Sequence, residues 1–548
     1  MAASVRAALA ALAASALAWP VTGALAQTAA PSAKPAESAP SEPRFDIWEY
    51  EIEGNTVLTV AQIERAVQPH LGPDKDMKAV EAARTALETL YQQAGFLTVL
   101  VDIPEQSVDA GVVQLRVIEG RIGSVYVAGS KYHALGQIRS RVAELSPGQV
   151  PDFNRVQAQI AALNRTEDRR VQPVIKPGLR PGTIDVELQV NDSLPFSGSV
   201  EVNNQHAKDT EFLRASAALR YNNLFQRDHS LALTLQTAPT SPDQSKVLVA
   251  NYSLPTEDGQ NWTFSLSLSD SEVATLGGTQ VVGNGSTLGL RRSALISRSG
   301  GAAWVSWGAD LKHLREQINF GTDSISTPVR YLPFQLAVGD QYDGEWGRIQ
   351  INTSLTAAWN QLLSREVACP LANGSTGMQD QFACKRQGGD GSFVVGRWDL
   401  RWMSAYAWGS PSLRFSGQMA GRELISAEQF TLGGAETVRG YLESAASGDH
   451  GVLFSAEWRT PNFAELGEPG WRELRGLVFV DAGRVLTIAP PAGQAGHVNL
   501  WAPGLGLRWN SAATPGIEGA VDLAWPQHPS GDTVVGKATV HGRLRLRF

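Results

Sequence analysis

KATVHGRLRLRF, residues 537–548, closes the chain and decides how the rest of it reads. Counted in twos, Ala538, Val540, Gly542, Leu544, Leu546 and Phe548 fall on one side. Lys537, Thr539, His541, Arg543, Arg545 and Arg547 fall on the other. A period of two marks a β-strand, whose side chains alternate between faces. A ribbon with hydrocarbon on one face and guanidinium groups on the other needs two different surroundings. If the first face meets lipid, the second meets a wet interior, because an arginine facing lipid at the midplane costs about 2–4 kcal/mol. Phe548 then ends the strand at the membrane boundary, where aromatic side chains collect.

The same alternation runs back to about residue 194. Trp262, Phe264, Leu266 and Leu268 interleave with Thr263, Ser265, Ser267 and Ser269. In 348–359, Ile349, Ile351, Leu355 and Trp359 oppose Arg348, Gln350, Asn352 and Ser354. Segments over 213–221 and 517–525 behave alike. A soluble sandwich also alternates. Two features argue for a membrane barrel instead. The segments run about ten residues, the length a tilted strand needs to cross a bilayer. Trp359, Trp458, Trp509 and Trp525 stand at segment ends, as interfacial girdles do. In lipid only helices and closed barrels satisfy every backbone amide. Outside the N-terminus no stretch near 20 apolar residues occurs, which excludes a helical membrane protein. Residues 194–548, at roughly 20–22 residues per strand and connection, predict about sixteen antiparallel strands.

The N-terminal part reads differently. Arg6, the apolar run from Ala7 to Trp19 and Ala24-Leu25-Ala26 form an export signal over 1–26. An Ala/Pro/Ser-rich linker follows over 27–44. Next come a strand over 47–52, a capping box at Thr59 and Gln62, and a helix bearing Val80, Ala83, Leu87 and Tyr91 at helical spacing. Strands over 97–103 and 112–118 complete the unit. The order recurs as a strand over 122–127, helices over 135–145 and 153–163, and strands over 171–177 and 183–190. Residues 45–121 and 122–193 are therefore expected to be two copies of one small β-α-α-β-β domain.

A net charge of −7 leaves no footprint for nucleic acid. Nine scattered histidines form no H-E-x-x-H or Cys/His cluster, so no metal or other cofactor is expected. With no nucleophile elbow and no paired carboxylates, an enzyme is not expected either. Cys369 and Cys384, in an exported chain, read as a disulfide stapling a loop, worth on the order of 3 kcal/mol.

The most specific stretch is FTLGGAETVRGY, residues 430–441, followed by SGDHG and, farther on, FVDAG over 479–483. Together with EGNTVL (53–58), VIEGRI (117–122) and PGTIDVEL (181–188), these motifs resemble the two-partner secretion outer-membrane transporters of the TpsB type. That group, the haemolysin secretion/activation proteins, belongs to the superfamily of barrels preceded by periplasmic POTRA domains. The resemblance covers essentially all of the chain after the linker. It implies that the loop of Val438, Arg439, Gly440 and Tyr441 folds into the lumen, and that Arg439 meets Asp481 on a wall motif of Phe479, Asp481 and Gly483. It further implies transport of one large exoprotein, an adhesin or cytolysin, from periplasm to cell surface without nucleotide. The small domains would capture it at strand edges carrying Leu97, Val99 and Val101 in the first and Val171 and Val174 in the second. Outer-membrane lipid and the barrel-assembly machinery are the other expected partners. A barrel-assembly factor of the same superfamily and a passive solute porin are the competing readings.

The chain departs from the family pattern at several places. Asn223-Leu224-Phe225-Gln226-Arg227-Asp228 stands where a glycine-rich turn is common, with only local consequences expected. Residues 27–42 lack the helical periodicity of the plug helix that several relatives carry.

Overall fold

The computed structural model describes residues 43–548, apart from 109, 257, 272, 277–278, 283, 299–300, 321–322, 371–374, 467–469, 491–492, 494, 514 and 532. The expected export signal, nearly all of the expected linker and the question of a plug helix lie outside the described residues. The chain divides after Gly120 into two compact units.

In the first unit the strands Glu49–Glu53, Val112–Glu119 and Val99–Asp102 lie side by side in that order, the first pair parallel and the second antiparallel. A parallel pair needs a long crossover, and the helices Val60–Val67 and Met77–Gln93 supply it. The Thr59 N–H donates to Gln62 Oε1 at 3.1 Å, as a capping box requires, and Asp76 caps the second helix through the Ala79 N–H at 3.1 Å. Val80, Ala83, Leu87 and Tyr91, three or four residues apart, form the buried stripe. Leu97 falls short of its expected strand. Gly95 ends the helix at φ 99°, the chain turns through Leu97 and Thr98, and pairing starts only at Val99.

The second unit opens with the same layout. Arg121–Ala128, Thr183–Asp192 and Arg169–Pro177 form the sheet in that order, with the helices Leu135–Ser140 and Phe153–Leu163 packed against it. The helix expected to reach residue 145 stops at Ser140. Val142 leaves helical geometry (φ −114°, ψ 60°), which turns both Val142 and Leu145 into the core. At the end of the sheet the buried Asp192 carboxylate accepts from the backbone N–H groups of Lys131, Tyr132 and His133 and from Ser130 Oγ. His133 lies between it, at 3.1 Å, and Asp168, at 3.3 Å.

From Phe196 onward sixteen wall strands, among the described residues, close into an antiparallel barrel. The sixteenth, Thr539–Arg547, returns to the first, Phe196–Asn203, with Leu544 opposite Val202 and Leu546 opposite Val200. Gly198 and Phe548 exchange backbone hydrogen bonds at 2.9 and 3.0 Å beside that seam. Gly301–Phe320 outgrows the wall. Its first half pairs with the next wall strand, Phe334–Gly344, and its second half with a hairpin partner, Asp323–Tyr331.

The pleat sorts side chains as their alternation predicts. Leu235, Leu355, Leu505 and Leu544, each about half exposed, share the outer face. The C-terminal arginines face inward. Arg545 pairs with Glu201 at 2.8 Å and Arg547 with Glu518 at 2.8 Å, while Arg543 comes within 3.8 Å of Glu436.

Two expectations need correction. The interior is not wet throughout. Leu453, Leu477, Phe479, Val485, Leu500, Ala502 and Ala524 point inward yet form a dry core, because the loop 421–449 folds back and brings Leu432, Val438 and Tyr441 onto them. The segment around the cysteines is not a plain loop either. Glu366–Pro370 pairs with Thr376–Asp380, and Asp380 caps a short helix, Gln381–Lys385, through the Phe382 N–H at 2.9 Å. Cys369 and Cys384 form a disulfide across this hairpin and helix, with Cα atoms 5.6 Å apart.

Arginine on the outer face should destabilise the barrel where arginine on the inner face does not. Leu266→Arg is expected to cost about 2–4 kcal/mol and Ser267→Arg less than about 1 kcal/mol, read from urea unfolding in lipid bilayers. In the second small domain, burial alone would raise the Asp192 carboxyl. The N–H groups of Tyr132 and Lys131, then His133 and Ser130, outweigh burial and hold it at about 2. An unfolded aspartate titrates near about 3.9, so this contribution is full above that pH and disappears as pH falls toward about 2. Protease protection of residues 122–193 should therefore weaken over that window in the wild type and show no such step in Asp192→Asn.

Candidate functional site

Phe479, Asp481 and Gly483 sit two residues apart on the thirteenth wall strand, Trp471–Leu486, so the pleat points all three positions inward. Each does a different job. The Phe479 ring lies under the Arg439 guanidinium, with Cζ 3.3 Å from the ring centroid. Asp481, fully buried, takes the fork of Arg439: Nε to Oδ2 at 2.7 Å and Nη2 to Oδ1 at 3.0 Å. Gly483 leaves room for Leu432. A Cβ there would lie 2.6 Å from a Leu432 methyl. The Arg439 backbone N–H also donates to Asp481 at 3.2 Å, and Ser455 Oγ donates to it at 2.6 Å.

Arg439 has two further carboxylates in reach. Nη1 bonds Glu457 at 2.9 Å, on the twelfth strand, His450–Arg459, and lies 3.6 Å from Asp522 on the fifteenth, Gly516–Ala524. Those acids are themselves shared, Glu457 with Arg459 at 2.7 Å and Asp522 with Arg508 at 2.7 and 2.8 Å. The next two residues complete the anchor. Gly440 takes φ 96°, where glycine is at ease, and its N–H donates to His541 Nε2 at 2.9 Å on the last strand. The Tyr441 hydroxyl lies 3.1 Å from the carbonyls of Trp501 and His528. Val438 and Tyr441 are fully buried. Five side-by-side strands, from the twelfth to the sixteenth, thus hold one loop.

A second anchor lies farther back in the loop. Glu428, also buried, receives Lys312 at 2.5 Å, Tyr331 at 2.7 Å and Arg397 at 3.1 Å. Asp449 receives both Arg386 terminal nitrogens and the backbone N–H groups of Leu424, at 2.9 Å, and Ile488, at 2.7 Å. Asp449 belongs to SGDHG, which the sequence brings to notice without a role. Glu457, Asp522, His541 and Glu428 carry no local sequence signal beyond a polar residue on the inner face of a strand, or in a loop, otherwise apolar.

Between the loop and the opposite wall runs a cavity of about 690 Å³, reached by Lys312, Gln335, Asn352, Ser354, Arg397 and Asp399. Unlike the dry side it is polar, with cations and an acid facing one another.

The expected capture edges divide. In the first small domain Val99–Asp102 is an outer strand. Val99 and Val101 bury their side chains, and pairing of Thr98 with Gly120 sets the Val101 backbone toward the open edge. In the second, the outer strand Arg169–Pro177 has Val171 buried and Val174 half-buried. Its open edge is blunted. Residues 171, 173, 175 and 177 turn their backbones outward. Val171 N–H is already bonded to Asn164 Oδ1 at 2.7 Å, and Pro173 and Pro177 have no N–H to offer.

The family model described as haemolysin secretion/activation protein ShlB/FhaC/HecB matches residues 182–509, and the ShlB-type POTRA model matches residues 45–120. The outer membrane transporter CdiB of Dickeya dadantii is 24% identical over 91% of this chain and 87% of its own length. The heme/hemopexin transporter protein HuxB of Haemophilus influenzae is 21% identical over 74% of this chain and 70% of its own. Among solved structures, CdiB from Escherichia coli superposes with a TM-score of 0.64 at 19% identity, over 94% of this chain and 93% of that one.

Removing Arg439 strands a buried carboxylate, and breaking such a pair costs about 3–5 kcal/mol. Arg439→Ala should therefore release residues 433–441 while the barrel remains closed. The expected readout is fast hydrogen exchange confined to that loop, with the heat-dependent gel shift of the folded barrel retained. Arg439→Lys, which keeps the charge and loses the fork, should release it partly.

Proposed function

This chain belongs to the haemolysin secretion/activation protein family, and from that membership we propose that it exports one large partner protein from the periplasm to the cell surface. It is an outer-membrane transporter, not an enzyme, with its barrel in the outer membrane and its POTRA region in the periplasm. The observation that carries the finer reading is an open strand edge on a periplasmic domain in the same chain as a barrel whose lumen keeps a polar cavity. A solute pore has no use for the first feature.

An unfolded segment of the partner adds as a strand beside Val99–Asp102, with the Val101 backbone as its ladder. Glu49, Glu51 and Glu53, exposed on the strand at the other side of that sheet, discourage pairing there. The segment then passes the lumen along the polar cavity, while the loop stays fastened to strands twelve to sixteen. Mixed charges and amides on the path let a hydrated chain slide without a tight grip. Folding outside prevents return, so the step needs no nucleotide. The partner is an adhesin or cytolysin, and the barrel-assembly machinery inserts the barrel itself.

Where a gene beside this one encodes a large exported protein, deleting the transporter gene should trap that protein in the periplasm. Its normal display at the surface of the deletion strain would refute the export reading. Val101→Pro removes one outward donor and no inner ladder bond. It should cut export at least tenfold with the transporter folded and inserted. Ile175→Pro, on the blunted edge, should leave export within about twofold of the wild type.

A further inference from the structure

The turn 225–228, between the second wall strand (Arg214–Leu224) and the third (His229–Thr237), does more than reverse the chain. Two antiparallel strands are joined most simply by two residues with glycine in the left-handed region. Here Phe225, Gln226 and Asp228 all take positive φ, 59°, 58° and 59°, without glycine, a conformation costing about 1 kcal/mol or more each. What holds them there lies in the second small domain, nearly a hundred residues away in sequence.

Gln226 Oε1 accepts from the Ala134 N–H at 2.8 Å, at the start of the helix Leu135–Ser140, and its Nε2 donates to the Tyr132 carbonyl at 3.1 Å. The Asn223 amide donates to the same carbonyl at 3.3 Å and braces Gln226 at 2.9 Å. The Asp228 carboxylate receives two arginines of that domain. Arg169 reaches it at 3.0 and 3.1 Å and Arg141 at 2.8 Å, and Arg141 also donates to the Arg227 carbonyl at 3.1 Å. Arg169 is almost fully buried and is itself aimed by the Leu163 carbonyl, at 3.0 and 2.7 Å. The covalent joint, 193–195, runs alongside. Ser193 N–H donates to the Asp168 carbonyl at 2.8 Å and Asn222 N–H to the Pro195 carbonyl at 2.8 Å. A three-residue joint alone is a swivel. A second attachment at the turn removes the rotation.

We propose that this turn is a latch fixing the second small domain against the barrel, and that Asp228 is its positioning residue, keeping the domain in place beneath the lumen so that a captured chain is handed straight to it. The hand-over rests on the export reading, whereas the latch itself does not. Removing Asp228 leaves two cations facing each other and a strained turn with less to hold it.

The test uses the full chain in lipid nanodiscs with spin labels on Leu179→Cys, in the domain, and Glu345→Cys, in a barrel turn. The native cysteines are tied in their disulfide and take no label. The expected result is a single narrow distance distribution, kept by Asp228→Glu and broadened at least twofold by Asp228→Ala. Where a large exported protein is encoded beside this gene, export of its epitope-tagged form should fall at least tenfold in Asp228→Ala. A thiol-specific cross-link between Ala134→Cys and Gln226→Cys in that background should restore it, a rescue that a merely structural role does not give. Gln226→Ala, which unpairs no buried charge, serves should Asp228→Ala fail to fold. A distribution as narrow in Asp228→Ala, or in its stand-in, as in the wild type overturns the latch. A broadened distribution with undiminished export, or a cross-link that restores nothing, overturns its role in positioning. Absence of export by the wild type refutes the export reading, and the distances still judge the latch.

Discussion

Backbone amides crossing hydrocarbon have no water to turn to, so a sheet in a membrane must close on itself. Here closure falls to a short seam, where Arg543–Arg547 pairs with Ser199–Asn203 and Phe548 locks onto Gly198. Once the ring is sealed, the pleat has one lipid face and one inner face on every strand. The outer leucines need no further partner. The inner arginines do, and each of the last three has a carboxylate within reach.

Closure also creates an interior that must be filled or left open, and this chain does both. On one side, the loop bearing Arg439 packs Leu432, Val438 and Tyr441 onto apolar wall residues. That dry packing is what makes the Arg439 ion pair meaningful. Out of water, a guanidinium shared among Asp481, Glu457 and Asp522 is held by geometry as well as charge. The opposite wall keeps its polar side chains around open space. A fixed half beside an open half gives a conduit a defined path.

The periplasmic part shows a comparable division of labour. The two small domains share one layout, yet prolines and a side-chain bond blunt the open edge of the second, while the first keeps its own. The second spends its surface elsewhere, on a turn of the barrel. Likeness of fold does not confer likeness of task, because edges and surfaces are set by single residues.

The barrel was legible in the sequence because a period of two is a local property. KATVHGRLRLRF needs no neighbour to show which side is greasy, and about sixteen strands follow from the length of the alternating region. The β-α-α-β-β repeat was legible for the same reason, save where Val142 and Leu97 broke ranks to suit a core and a turn. The resemblance brought Arg439 and Asp481 to notice as a pair. What it left out were Glu457, Asp522 and His541, which meet Arg439 only because its loop folds into the lumen across the consecutive strands twelve to sixteen. The Asn223–Asp228 turn misled most. In sequence it is a hairpin connection lacking its glycine, whereas its purpose lies in Arg141, Arg169 and Ala134, brought to it by the packing of another domain. Periodicity thus fixes which face a residue shows. Which residue it meets across a closed sheet or a domain joint is decided by the three-dimensional path of the chain.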